Sequence, residues 1–335
     1  MGKMGSGLFP AAARATAFVV GSTVLAACGT KATSPSPKPA PARHFVPVAP
    51  GAPVKTTVAP WSLPAALSRP AAASDGPNLV LMGGIRVDGS SSSSVRLIDP
   101  TTGQVLAMGQ LPLPTHDAGA AVLGSKAYLF GGGSSYVYSS VQAWTDSSGG
   151  VIAAHLPAPR ADCTVASSPR GAFIVGGYSG SAMDASVLAT KNGTTFRTVS
   201  TLPIPVRYGA AATMGHYLYV LGGETASGSP TSAVQAVNLS TGASAVVGHM
   251  AAPLDHAQAA ILHGRILVVG GRIGGRYSRA IWSLDPANGS VTRVGSLVVP
   301  VSDEALVSWG GSLWSLGGQN PQPSAIVQRI TDVTR

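Results

Sequence analysis

Six polar or ionisable side chains recur at one place in a repeated pattern: Arg69, Asp117, Asp162, Tyr208, His256 and Asp303. Each stands fourteen residues before the first glycine of a Gly-Gly pair, the pairs lying at 83–84, 131–132, 176–177, 222–223, 270–271 and 317–318. Beside them in sequence are His116, Cys163, Arg207, Asp255 and Glu304. The chain has only 13 acidic residues, and Asp117, Asp162, Asp255, Asp303 and Glu304 are all in this set, a concentration that singles it out. Carboxylates, a phenol, an imidazole and guanidinium groups, if gathered in one concavity, can hold a polar ligand. If they also perturb one another's pKa, they can move protons. Two plainer readings compete. Loop-to-strand entries are wet and collect polar residues for turns, and acid–base pairs can simply bridge repeats. What decides is whether the elements that carry these residues bring them together.

Those elements are legible. The glycine pairs recur at intervals of 48, 45, 46, 48 and 47 residues, and self-similarity at that period signals an array of units that cannot bury their faces alone. Each period opens on a turn of the type Leu-Pro-x-Pro (Leu111–Pro114, Leu156–Pro159, Leu202–Pro205). A small-residue strand such as "GAAATMG" follows, then an apolar strand such as "YLYVLGG". A third strand leads to a hairpin turn such as "DPTTG" (Asp99–Gly103), "NLSTG" (Asn238–Gly242) or "DPANG" (Asp285–Gly289), and a more polar fourth strand returns. Small residues suit an innermost strand converging on an axis, and a continuous apolar run suits a strand sandwiched on both faces. The reading is an all-β, six-bladed β-propeller of four-stranded blades over residues 54–335. After the last glycine pair, "AIVQRITDVTR" supplies a third strand and no fourth, whereas "PVKTTVAPWSLP" (Pro53–Pro64) resembles a fourth strand. Val54 to Trp61 is therefore expected to complete the sixth blade and lock the ring. The six recurrent positions would then surround one mouth of the central channel.

The double glycine at this period resembles the kelch repeat, over about 280 residues and six times. The chain departs from it in lacking a regular outer-strand tryptophan, since only Trp144 and Trp282 fall in the outer half of a blade. Copper-radical oxidases of the galactose oxidase type use such a propeller and place a cysteine and a cross-linked tyrosine at inner-strand starts. Cys163 and Tyr208 occupy similar places, "RYGAAATM" is similar to that family's segment, and His256 matches the place of a copper-binding histidine. Asp255, however, stands where that family has its second tyrosine, and its ring has seven blades. A bacterial sialate mutarotase resembles the chain in its six blades and in a Gly-Glu pair, here Gly223-Glu224, but has an arginine where this chain has Pro230. No metal and no cofactor is expected on these grounds.

The N-terminus speaks to location. Lys3 and Arg14 precede and open the 13-residue apolar run "ATAFVVGSTVLAA", too short to span a bilayer. The ending "LAAC", Leu25 to Cys28, is similar to a bacterial lipoprotein signal, in which cleavage leaves a cysteine whose thiol takes a diacylglycerol. The resemblance implies a signal peptide at 1–27, lipidated Cys28, and attachment to the extracytoplasmic side of the cell membrane by acyl chains. An ordinary secretory peptide is the alternative. Residues 28–53, rich in Pro, Ala and Ser, read as a semi-rigid tether. With Cys28 acylated, Cys163 is the only other cysteine and no intrachain disulfide can form.

Of the formal +9 charge, Lys3 and Arg14 leave with the signal, and Lys31, Lys38, Arg43 and Lys55 sit in or beside the tether. The body keeps 16 basic against 13 acidic residues. A basic tether suits anionic headgroups, and the body lacks the basic stripe that nucleic-acid binding needs. "GGRIGGRYSR" (Gly270–Arg279) has no following helix and is no phosphate loop, and no zinc-type spacing or Gly-x-Ser-x-Gly elbow occurs in context. The expectation is a tethered binding module for a glycan-like or protein partner. Its binding site is expected at the channel mouth, on Arg69, Asp117, Asp162, Cys163, Arg207, Tyr208, Asp255, His256, Asp303 and Glu304, and an enzyme of the mutarotase or oxidase kind using that same mouth is the alternative.

Overall fold

The computed structural model describes residues 49–333. The signal peptide, the lipidation of Cys28 and most of the tether lie outside the described residues. Among the described residues there is no α-helix, and six antiparallel sheets form the six blades of a β-propeller. Blade 4 shows the plan, with Ala210–Met214 innermost, then Tyr217–Leu221, Ala233–Asn238 and Ser244–His249 outward. Blade 5 adds a short pair, Arg276–Tyr277 against Arg265–Ile273, at the edge of the mouth. Blade 6 is built from both ends of the described chain. Val54–Val58 pairs antiparallel with Val327–Asp332, from Val54 opposite Asp332 to Val58 opposite Gln328. Trp61, beyond the end of this strand, stacks on Trp314 with ring centroids 5.9 Å apart and donates to the Pro100 carbonyl of blade 1.

Burial follows the sequence pattern. The second strands, such as Gly171–Val175 and Ser312–Leu316, are buried along their whole length, while outer strands such as Ser244–His249 are largely exposed. The apolar side chains fall into six clusters, each spanning two neighbouring blades, such as that joining Tyr219 and Val234 of blade 4 to Ile266 and Val268 of blade 5. Each fully buried Leu, Ile or Val contributes about 1.5–3 kcal/mol, so the ring is held chiefly by these inter-blade cores.

The glycine pairs have a specific task at the same boundaries. In every pair the second glycine donates its N–H to a carbonyl in the connection entering the next blade: Gly84 to Thr115, Gly132 to Arg160, Gly177 to Val206, Gly223 to Leu254, Gly271 to Val301 and Gly318 to Leu67. The last of these closes the ring. A Cβ on the first glycine would overlap that same carbonyl oxygen, and both glycines have positive φ. Backbone approach across blades therefore requires glycine at both places.

A second set of clasps is carried by side chains. Gln142, Gln235 and Gln328, buried on the third strands of blades 2, 4 and 6, accept from the N–H of Leu113, Ile204 and Val299 at 2.8–2.9 Å. Gln235 and Gln328 also donate to the carbonyls of Ile204 and Val299 at 3.0 Å. In blade 3 the direction reverses. Buried Arg160, from the incoming connection, donates to the carbonyls of Gly176 and Ser186 and pairs with Asp184 at 2.5 Å.

Candidate functional site: the polar mouth of the ring

The six recurrent positions share a backbone conformation. Arg69, Asp117, Asp162, Tyr208, His256 and Asp303 all have φ between 53° and 59°, the left-handed region that non-glycine residues seldom occupy. Asp tolerates that region best, which accounts for its threefold use, whereas Tyr208 and His256 are held there at a cost of roughly 1–2 kcal/mol each. The reward is inter-blade hydrogen bonding: Asp162 N–H donates to the Asp117 carbonyl, Tyr208 to Asp162, His256 to Tyr208, Asp303 to His256 and Arg69 to Asp303, at 2.8–3.1 Å. Side chains from all six blades are thereby turned onto one mouth.

There they form a connected plug. Arg69 reaches across the channel, with Nη1 2.7 Å from Asp117 Oδ2 and 3.4 Å from the Tyr208 hydroxyl, and Nε 3.5 Å from Asp303 Oδ1. Asp303 also accepts from Arg272 at 2.8 Å and from Ser302 at 2.6 Å. Arg207 pairs with Glu224 at 2.5 Å and with Asp162 at 3.4 Å. A layered stack rises beside it. The Arg207 guanidinium lies between the rings of Tyr178 (5.4 Å) and Tyr208 (5.1 Å), and Tyr208 stacks on His256 at 3.8 Å. Arg69, Arg207 and Arg272 keep 22–27% of their side-chain surface in solvent, so the plug presents cations outward.

Not every group in the plug is satisfied. Asp255 Oδ1 and His256 Nδ1 lie 3.1 Å apart but off the hydrogen-bonding direction, and neither atom makes a hydrogen bond. Both oxygens of Glu304, a residue 1% exposed, are also without a partner. Arg69, Asp117, Asp162, Cys163, Tyr208, His256, Asp303 and Glu304 line a cavity of about 50 Å³ at the mouth, room for a water or two. Further down, the channel opens to about 250 Å³ between small inner-strand residues such as Ala72, Ala120, Ala166 and Ala211.

Burial sets the electrostatics. Desolvation pushes the Asp162 carboxyl up to about 7, helped by the Asp117 charge and opposed by the Tyr208 hydroxyl, Arg207 and Arg69. Burial also raises Asp117 against the pull of Arg69, and raises Glu304 well above the usual carboxylate range. Tyr208 is raised by burial and by the charges of Asp117 and Asp162. Burial lowers His116, with the Arg69 charge adding to it and the Asp162 charge opposing it. Burial raises Cys163 to about 11, and its Sγ is turned towards the Phe130 carbonyl, so the thiol is a packed, unreactive group. Among the described residues no three His, Cys, Asp or Glu side chains are placed to hold a metal ion.

Arg207 and Asp255 stand one position away from the ring and join it through Asp162 and His256. Tyr178, Glu224 and Arg272 also belong to the mouth, although the fourteen-residue spacing does not point to them. Their signal is a different one: each immediately follows a glycine pair, and antiparallel bridges such as Arg207–Glu224 and Ala161–Tyr178 set that position beside the residue preceding the ring.

Comparison with known proteins agrees with this architecture. The family model of the kelch motif matches residues 253–297, which is blade 5 from the turn before its inner strand to the end of its outer strand. The solved structure titled "Structure of YjhT" superposes with a TM-score of 0.67 at 15% identity, covering 80% of this chain and 95% of that one, a likeness of fold alone. No curated protein matches the sequence. The chain is a six-bladed β-propeller that carries a kelch motif in its fifth blade.

Proposed function

We propose that the protein is a binding module, tethered to the extracytoplasmic side of the cell membrane through Cys28, that takes a glycan-like or protein ligand on the polar mouth. The observation that carries this reading is the plug itself, with three partly exposed guanidinium groups and the Tyr178–Arg207–Tyr208 stack above buried, unpaired atoms of Asp255, His256 and Glu304. Guanidinium and aromatic faces suit carboxylate and sugar surfaces. The mouth cavity holds no more than water, so a ligand rests on the plug and does not enter the channel. Pro50 to Ala52, held by Arg265, lie at the face opposite the mouth.

The test is a screen of the purified protein on neutral and acidic oligosaccharides and on peptides, repeated with Arg207→Gln and Tyr208→Ala. We expect each variant to weaken the best ligand by about tenfold, the scale of one charge-assisted or aromatic contact. Unchanged affinity in both would place binding elsewhere. Mass measurement of the mature N-terminus should find acylated Cys28, and an unmodified cysteine would remove the membrane from this reading.

A second reading, acid–base chemistry on a sugar, draws on Asp162, whose carboxyl is pushed up to about 7 by burial and by the Asp117 charge. It requires Asp162→Asn to abolish turnover while leaving binding intact.

A further inference from the structure

A wide cleft lies on the other end of the ring. It has a volume of about 850 Å³ and sits between the inner hairpin turns of blades 2 and 3 and the turn at residues 191–196 of blade 3. Arg170, Lys191 and Arg197 line it, and no acidic residue does. Among the described residues, none of these three cations takes part in an ion pair, whereas Arg69, Arg160, Arg207, Arg265 and Arg272 all do. Arg170 is held instead by a ring nitrogen, donating from Nη2 to His216 Nδ1 at 3.0 Å, which orients the guanidinium without a carboxylate partner.

The cleft wall is built in advance. Asn192 Oδ1 accepts from the N–H groups of Thr194 and Thr195 and from the Thr195 hydroxyl, each at 3.0 Å. Thr190 Oγ1 accepts from Gly193 N–H at 2.9 Å. A Cβ at Gly193 would enter the Tyr128 ring of blade 2, so the turn is seated directly on its neighbour. Phe196 packs edge-on against Phe130 at 6.2 Å and anchors the end of the turn. Lys191 and Arg197 therefore leave a turn whose backbone is already hydrogen-bonded in place, so that only the two side chains need be ordered when a ligand arrives.

We propose that this cleft is a second binding site, for a phosphate-bearing ligand. Three uncompensated cations around one concavity attract a multiply charged oxyanion, and guanidinium forks match phosphoryl oxygens in pairs. Such a group can belong to a soluble phosphate compound or to an anionic lipid headgroup. The second source is relevant because Pro50 to Ala52, where the tether joins the propeller, lie on the same face.

The experiment uses the full chain carrying Cys28→Ser, so that no acyl chain contributes. Titration with tripolyphosphate at low salt is set beside co-sedimentation with vesicles of phosphatidylcholine alone or mixed with phosphatidylglycerol. Arg170→Gln/Lys191→Gln/Arg197→Gln is compared with an equal charge change elsewhere, Arg276→Gln/Arg279→Gln/Arg293→Gln. We expect the first variant to lose about tenfold or more in affinity and the second to stay within about twofold. Binding of tripolyphosphate assigns a soluble ligand, and retention on phosphatidylglycerol vesicles alone assigns a headgroup. No binding of either probe by the parent chain overturns the site, as does an equal loss in both variants or no loss in the first. Because the mouth variants leave this face untouched, failure here is separate from failure of the mouth.

Discussion

At the scale of single residues, Asp162 is the most informative position. Its folded carboxyl sits near 7 because burial and Asp117 disfavour the charge, whereas in the unfolded chain it titrates near 3.8. Between those values the folded protein binds the extra proton, so this group's contribution to stability is complete below about pH 4 and is lost as pH rises through 7. Asp162→Asn removes that loss. We expect the Tm of the variant, relative to the parent, to be higher at pH 8 than at pH 5, and a pH-independent difference would contradict it. That Asp162 belongs to a mouth is readable from spacing. Its raised pKa is not, since it arises from burial and from the charge of Asp117 on the neighbouring blade, against the pull of Arg207 and Arg69.

At the scale of elements, the repeated unit is a strand plan joined by three kinds of clasp. The glycine pairs are visible in the sequence because the backbone approach permits no other residue, blade after blade. The left-handed turn at the ring positions is less visible, because Arg, Asp, Tyr and His all adopt it here under inter-blade hydrogen bonds. The glutamine clasps of blades 2, 4 and 6 escape a one-blade comparison altogether, since the odd blades place Arg96, Leu188 and Trp282 on the corresponding strands. Gln235→Leu keeps the volume but leaves the Ile204 N–H and carbonyl without partners. We expect a loss of about 2–3 kcal/mol in urea denaturation. A loss below about 0.5 kcal/mol, the level of an ordinary surface change, would show that the clasp is dispensable.

At the scale of the whole molecule, closure is the controlling feature. Val54 to Trp61 is expected from the sequence to complete blade 6, the outer strand is found over Val54–Val58, and Val54 joins Leu297 and Ile330 in the core between blades 5 and 6. Arg265 pairs with Asp332 and holds the Ala52 carbonyl at 2.6 Å, so both ends of the described chain are fastened at one corner. A chain beginning at Leu63 lacks that strand and bares the edge of Val327–Asp332. Its Tm should fall by on the order of 10 °C, corresponding to several kcal/mol at this size, and thermal melting followed by circular dichroism measures it. Melting at the full-length temperature would refute closure as a source of stability.

What the sequence by itself determined is everything that repeats: the number of blades, the strand plan, the glycine contacts and the mouth on which six rewritten positions converge. Repetition exposes these because each blade meets the same neighbour in the same geometry, so the same residue type is demanded six times. The tertiary structure alone decided what the rewritten residues do to one another. Arg69 meets Tyr208 from across the ring, Glu304 is buried with no partner, and three cations of one sector stand around a cleft with no carboxylate to answer them. Those relations lie between residues far apart in the chain, occur once each, and depend on burial, for which a single copy in a sequence leaves no periodic trace.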